Sequence, residues 1–360
     1  MPYAYVRPLA AALLHAASLT AAARAQAPAA PGAPPAASST LRPVAVRERA
    51  VTVGDGAWAV RGTLAWPAAA AGPVPGVVLT HGSGPGTQDG DVGPNKVLRE
   101  VAWALAARGV AVLRYDKRTT AHADAFRALG REATLDEEHV DDAVAAVRLL
   151  QQAPPADPRR VFVLALSQGT AVAARVAARV AAAGGPPVCG LVLVSASARA
   201  PSAMIRDQIA YVRSLPRPAG APARDAEGDR VLAELDHGDA PTAPDTLTVL
   251  GRPLAYWRAH DPERTWAETR TFLDGGGRVL VVSGGRDYLT TAEDFTAWGR
   301  ALAGRPRVAL RRYPDLNHLM QPGVGRMTPG EYARPMTIAP AYLADVAAWV
   351  QTGRLPALSH

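Results

Sequence analysis

A short run of strand-forming residues gives way to a run of alanines at Ser167, and that junction constrains the chain more than any other stretch. Residues 160–166 (RVFVLAL) are apolar after the first position, as a buried strand requires. Residues 170–183 (TAVAARVAARVAAA) have the small-residue composition of a closely packed helix. A serine at so sharp a turn projects its hydroxyl out of the sheet, while unpaired N–H groups of the new helix aim at the same spot. The strand and helix backbones pass close together there, so small residues are needed two before and two after the serine. Ala165 and Gly169 supply them. A structural N-cap serine would satisfy the same few letters. The rest of the chain has to decide between the two readings.

The surrounding order of elements is that of an α/β fold with a doubly wound, mostly parallel sheet. Alternating residues on either side of Gly54-Asp55-Gly56 predict an N-terminal β-hairpin over 44–66. Apolar strands are expected at 75–80, 110–115, 160–166, 191–195, 278–283 and 307–313, with helices near 95–108, 135–152, 170–183 and 339–350 between and after them. Continuous apolar strands alternating with helices mean a parallel sheet covered on both faces. The rhythm breaks over 198–274, a polar helical stretch with Ile205, Ile209 and Val212 on one stripe, Leu232 and Leu235 near another, and Trp257 and Trp266 adding bulk. An insertion at this point of the chain is expected to be a cap over a pocket. The alternative is a bracing subdomain that meets no substrate. The core is accordingly expected over 42–197 and 275–354.

Arg7, the apolar stretch 9–23 and Ala23-Arg24-Ala25 ahead of Gln26 describe a secretory signal peptide over residues 1–25. His15 and the alanine-diluted core argue against a membrane span, which needs about 20 predominantly apolar residues. Residues 26–41, rich in Pro, Ala and Ser, read as a tether. The expected location is therefore exported, periplasmic or secreted. With one cysteine, Cys189, no intramolecular disulfide can form, and its strand-like surroundings suit a small buried hydrophobe. The net charge of +7 first suggests nucleic acid as a partner. However, Lys96 and Lys117 are the only lysines, and the arginines are interspersed with acids. No dense basic run with interleaved aromatics exists, so nucleic-acid binding is not expected.

A serine hydroxyl needs a base at hydrogen-bond distance, itself oriented by a carboxylate. In doubly wound hydrolases the chain order is serine, acid, histidine, each on a loop at the carboxyl end of a strand. Of the eight histidines, only His318 and the terminal His360 follow the last strand-end acid. His318 is thus the expected base. Asp287, in Gly284-Gly285-Arg286-Asp287-Tyr288, is the expected acid. Asp315, in a turn suited to capping, and Asp294, expected to face solvent in the first turn of a helix, are its rivals. Two fixed donors should face the oxyanion: the backbone N–H of Gln168, directly after the serine, and that of Ser83, in the loop His81-Gly-Ser-Gly-Pro85. His81 reads as a structural histidine bracing that loop.

Taken in order, His81-Gly-Ser-Gly-Pro85, Gly93-Pro-Asn-Lys96, Tyr115-Asp-Lys-Arg118, Leu166-Ser-Gln-Gly169, Gly284-Gly-Arg-Asp-Tyr288 and Leu316-Asn-His-Leu319 are similar to a group of bacterial α/β-hydrolase serine esterases. That group is close to the small carboxylesterases and related to acyl-CoA thioester hydrolases. Tyr256-Trp257 before Asp261-Pro262, and Thr328-Pro-Gly-Glu-Tyr332, extend the resemblance over roughly residues 45–352. Two departures are visible. Ala165 stands where the group usually has glycine, and the loop Gly84-Pro-Gly-Thr-Gln-Asp89 is longer than the usual form. The resemblance implies Ser167, Asp287 and His318 as a triad, with no metal or organic cofactor. The expected activity is cleavage of a small-molecule carboxylic ester. A thioesterase or peptidase on the same triad, and a catalytically inactive binding protein of the same fold, are the alternatives. The sequence is silent on acyl chain length and oligomeric state.

Overall fold

The apolar runs assemble as one twisted sheet in a computed structural model that describes residues 45–130, 133–216 and 224–357. The segments read as signal peptide (1–25) and tether (26–41), and His360, lie outside the described residues. Eight strands are hydrogen-bonded side by side: β1 (Val46–Val53), β2 (Val60–Pro67), β3 (Val74–Thr80), β4 (Ala111–Tyr115), β5 (Ala156–Leu166), β6 (Gly190–Val194), β7 (Arg278–Gly284) and β8 (Val308–Tyr313). Their spatial order is β1-β2-β4-β3-β5-β6-β7-β8. The expected hairpin is β1 with β2, antiparallel, with Val46 opposite Pro67 and Val53 opposite Val60. β2 also runs antiparallel to β4, and all later neighbours are parallel. This is the α/β-hydrolase fold.

Successive residues of a strand point to opposite faces, and here both faces are dry. Val161, Val163 and Ala165 of β5 join one apolar cluster, while Phe162 and Leu164 join the other. Helices α1 (Val97–Ala106) and α9 (Pro340–Thr352) cover the Phe162 face through Val101, Leu105, Val346 and Trp349. On the opposite face lie α2 (Asp141–Gln152), α3 (Ala173–Ala182) and α8 (Ala292–Ala301), through Val147, Leu150, Val176, Val180 and Trp298. The helix expected from residue 135 opens with a wide π-helical turn, Asp136–Val140, which carries Glu138 and His139 into buried positions.

Between β6 and β7 the chain makes α4 (Pro201–Ser214), α5 (Arg224–Asp239), α6 (Leu254–Arg258) and α7 (Pro262–Asp274). Ile205 and Ile209 pack with Val231, Leu235 and Leu254 into a small separate apolar cluster, whereas Val212 turns toward the main core. Helix α7 leans on the body instead. Leu273 sits in the main core, and Trp266 meets Trp298 edge to face, with ring centroids 6.3 Å apart. One expectation is corrected here. Asp294 does not face solvent: it is buried, caps α8 through Thr291 N, and accepts from the backbone of Ala198 and the guanidinium of Arg199. A short-range helix pattern cannot reveal an arginine that arrives from another strand's loop.

Trp298 is fully buried where α7, α8 and the sheet meet, and its indole donates to Ser197 O at 3.2 Å. Trp298→Ala is expected to cost about 3–5 kcal/mol of stability through cavity formation. The shift of the denaturant midpoint at constant m-value measures it, and a loss below about 1 kcal/mol would contradict this packing.

Candidate active site

Ser167 follows directly on β5 with φ of 52°, a left-handed conformation that a non-glycine residue adopts only where its surroundings enforce it. The chain then makes one tight turn, Ser167–Ala171, braced by Thr170 Oγ1 donating to Ser167 O at 2.6 Å. The glycine two residues on is needed for space. A Cβ on Gly169 would lie 2.5 Å from His81 O and 2.9 Å from Thr80 Oγ1, so only glycine lets this turn nest against the end of β3. The Ser167 hydroxyl makes no hydrogen bond among the described residues. It faces a cavity of about 230 Å³ whose walls include His318, Ser83, Gln168, Leu98, Ile205, Trp257 and Leu289.

Asp287 and His318 come from the loops after β7 and β8, neighbouring parallel strands. His318 Nδ1 lies 2.7 Å from Asp287 Oδ2, with both side chains buried. The carboxylate is fixed from three further directions, by Thr290 Oγ1 at 2.6 Å, Leu289 N at 2.7 Å and Thr290 N at 3.2 Å. The His318 loop is stitched by Asn317, whose Oδ1 accepts from Leu319 N and Gln321 N, and Ser195 Oγ donates to His318 O at 2.8 Å. Glycine is required at 284 because a Cβ there would lie 2.4 Å from both Leu316 O and Asn317 O. The two loops can touch only with bare backbone at that point. The rival Asp315 is exposed. No hydrogen bond joins Ser167 Oγ to His318, although both line the cavity. Such contacts are commonly long without substrate and tighten when it binds.

Ser83 and Gln168 also line this cavity. The Ser83 N–H has no acceptor among the described residues, and Gln168 N lies in the first turn after β5, where helical N–H groups have no internal partner. Gly82 brings the loop to Ser167: a Cβ there would lie 3.3 Å from Ser167 Cβ. His81 braces this loop, its Nε2 donating to Tyr115 O at 2.6 Å. Behind the loop lies a buried polar group that sequence reading missed. It comprises the buried Lys117, Glu138, His139 and Tyr256, with His260 half-buried, around the Gln168 carboxamide. The available signal was Tyr115-Asp-Lys-Arg118: Asp116 takes Arg61 and Gln88 N, Arg118 takes Asp142, and Lys117 turns inward. Among the described residues no group of three or more His, Cys, Asp or Glu is arranged to hold a metal ion, and no helix is long and apolar enough to cross a membrane.

Comparison with known proteins gives the family. Residues 94–321 match a hydrolase family described as serine aminopeptidase, S33, and the chain belongs to that family. It is 34% identical over 282 residues to Esterase EstD of Thermotoga maritima, a match that takes in 78% of this chain and 62% of that protein. The chain thus spans less than two thirds of that relative's length. Similar solved structures include a thermostable esterase from Pseudomonas putida (16% identity, TM-score 0.48, covering 86% of this chain and 82% of the other). Another is Est1E from Butyrivibrio proteoclasticus (17% identity, TM-score 0.48, covering 84% and 96%).

Burial, and then the nearby Lys117 charge, holds His81 down at about 4 and His139 at about 3, while burial lowers His260 to about 4. In the unfolded chain these imidazoles bind protons near pH 6.5. Between pH 6.5 and 4 the unfolded state therefore binds more protons than the folded one, and stability falls as pH drops through that window. Each is expected to cost on the order of 1–2 kcal/mol at pH 5. Denaturant midpoints measured from pH 7.5 to 4.5 should fall steeply, and His260→Gln should flatten the profile. A midpoint that does not move across this range would contradict the burial of neutral histidines.

Proposed function

We propose that the protein is a serine esterase that cleaves uncharged carboxylic esters through an acyl-serine intermediate. The observation that carries this reading is the buried Asp287–His318 pair set on the same cavity as the strained, unpartnered Ser167. In the proposed reaction Ser167 Oγ attacks the ester carbonyl while His318 Nε2 takes its proton. Asp287 keeps the Nδ1 proton on the far side of the ring and favours the imidazolium that forms. The Ser83 and Gln168 N–H groups donate to the oxyanion. His318 then returns the proton to the departing alkoxide, and water enters by the same steps to release the acid.

The walls favour an ester over an amino-terminal peptide. Asp91 is the only acidic residue lining the described cavity, and it is tied to Lys96 and Thr87. Arg199, the only lysine or arginine there, is engaged by Asp294 and Asp207. Neither a substrate ammonium nor a carboxylate finds an unpaired counter-charge. Leu98, Met204, Ile205, Trp257 and Leu289 offer apolar surface to an acyl or alcohol group instead. The segment 198–274 supplies several of these side chains, which supports its reading as a cap. Export is proposed from Arg7, the apolar 9–23 and Ala23-Arg24-Ala25. A mature N-terminus at Gln26 would bear that out, and retained Met1 would refute it.

A fluorophosphonate probe is expected to label Ser167, and p-nitrophenyl acyl esters should turn over at least about 100-fold faster than aminoacyl p-nitroanilides. Ser167→Ala should remove turnover by a factor on the order of 10⁵–10⁶ with an unchanged denaturant midpoint. No adduct on folded protein would favour an inactive binding fold, and preferred anilide cleavage a peptidase.

A further inference from the structure

The loop that carries Ser83 is held by a cation that the proposed reaction does not use. Lys117 Nζ, on a fully buried side chain, donates to Gly82 O at 3.0 Å, to Gly84 O at 2.9 Å and to Glu138 Oε1 at 2.6 Å. Nζ also lies 3.2 Å from His139 Nε2, so the ammonium has four neighbours for its three protons, three of them oxygens. A peptide unit is planar and trans, so its C=O and N–H point in opposite directions. Turning the Gly82 carbonyl inward to Lys117 therefore turns the Ser83 N–H the other way, and that N–H has no acceptor among the described residues. No other donor among them reaches either glycine carbonyl.

The second oxyanion donor is tied to the same group. The Gln168 carboxamide accepts from His139 Nε2 at 3.0 Å and donates to Tyr256 Oη at 2.9 Å and His260 Nε2 at 2.7 Å. His260 Nδ1 donates to Tyr256 O at 3.0 Å, which leaves Nε2 bare to accept. Tyr256 Oη donates onward to Glu138 Oε2 at 3.1 Å, and Glu138 Oε1 returns the path to Lys117. Arg252 also donates to Glu138 Oε2, at 2.9 Å. Stability alone is a weak reason to bury such a pair, because apolar residues of equal volume often serve as well or better. What the pair does here is aim backbone.

We propose that Lys117 is a positioning residue that sets the direction of the Ser83 N–H, and that Glu138, Tyr256 and the Gln168 carboxamide tie that setting to the inserted segment. The inference rests on the esterase reading above and deepens it, assigning what aligns the two oxyanion donors. Tyr256 and His260 lie at α6 and just beyond it, so the inserted segment and the oxyanion loop act as one unit.

The charge-neutral double variant Lys117→Met/Glu138→Gln tests this. Active sites are counted by titrating to completion with the fluorophosphonate, and kcat, KM and inhibition by an acyl trifluoromethyl ketone are measured per titrated site. The ketone forms an oxyanion on the serine and so reports donor alignment. The expected result is a fall in kcat of about 100-fold or more, KM within about threefold, and ketone affinity lost by the same factor as kcat/KM. A merely structural role would reduce the number of titrated sites while leaving kcat per site and ketone affinity unchanged, and that result would overturn the inference. Should the double variant fail to fold, Tyr256→Phe decides. It is expected to give matched losses of about 3–10-fold in kcat and ketone affinity. Wild-type values in that variant would equally overturn it. An unlabelled wild-type protein would instead sink the esterase reading, whereas a labelled wild type with indifferent variants sinks only the positioning role.

Discussion

The Asp287 carboxylate fixes side chains across two loops whose backbones already meet, through Gly285 N to Tyr313 O and Arg286 N to Leu316 O. It accepts from its own turn, through Leu289 and Thr290, and from His318 on the neighbouring strand's loop. Both loops lie at the carboxyl edge of parallel strands, the edge where Ser167 also emerges. Buried acceptors without donors are costly, so an Asp287 with four donors locks the local geometry as well as orienting the imidazole. The glycines at 284 and 169 serve the same constraint from the backbone side. Each permits an approach within 2.5 Å of where a Cβ would stand, and together they let three loops converge at one cavity.

Much of this was legible in the sequence because it depends on local pattern and chain order. The strand before Ser167 alternates between the two core clusters, and the strand-end positions of Asp287 and His318 follow from runs such as RVLVVS and RVALRRY. Failures came where a residue's environment is set by distant chain. Asp294 read as a solvated first-turn acid, but Arg199 reaches it from 95 positions away. Lys117 offered only its place after a strand, while its partners lie 21 to 35 positions away and those of Gln168 up to 92. Polar networks of this kind carry no periodicity, so no window of sequence displays them.

The cavity also bears on the family's breadth. The family is described by an aminopeptidase, and a free α-amino group would call for an unpaired carboxylate in the wall. Asp91 and Arg199, the acidic and basic side chains that line the described cavity, are already paired with Lys96 and with Asp294 and Asp207. On the proposed reading, recognition then rests on shape. The inserted segment supplies Met204, Ile205 and Trp257 to that wall, and Tyr256 of α6 is hydrogen-bonded to Glu138 and to the Gln168 carboxamide, so on the proposed reading changes in α6 would reach the oxyanion donors too.

A crystal structure of the protein covalently modified by a phosphonate at Ser167 bears most directly on the whole. The phosphonyl oxygen should sit about 3 Å from both Ser83 N and Gln168 N, with His318 Nε2 against the adduct and Nδ1 still on Asp287. An oxygen directed into solvent, or an imidazole turned away from both the adduct and the carboxylate, would contradict a shared site built from these loops.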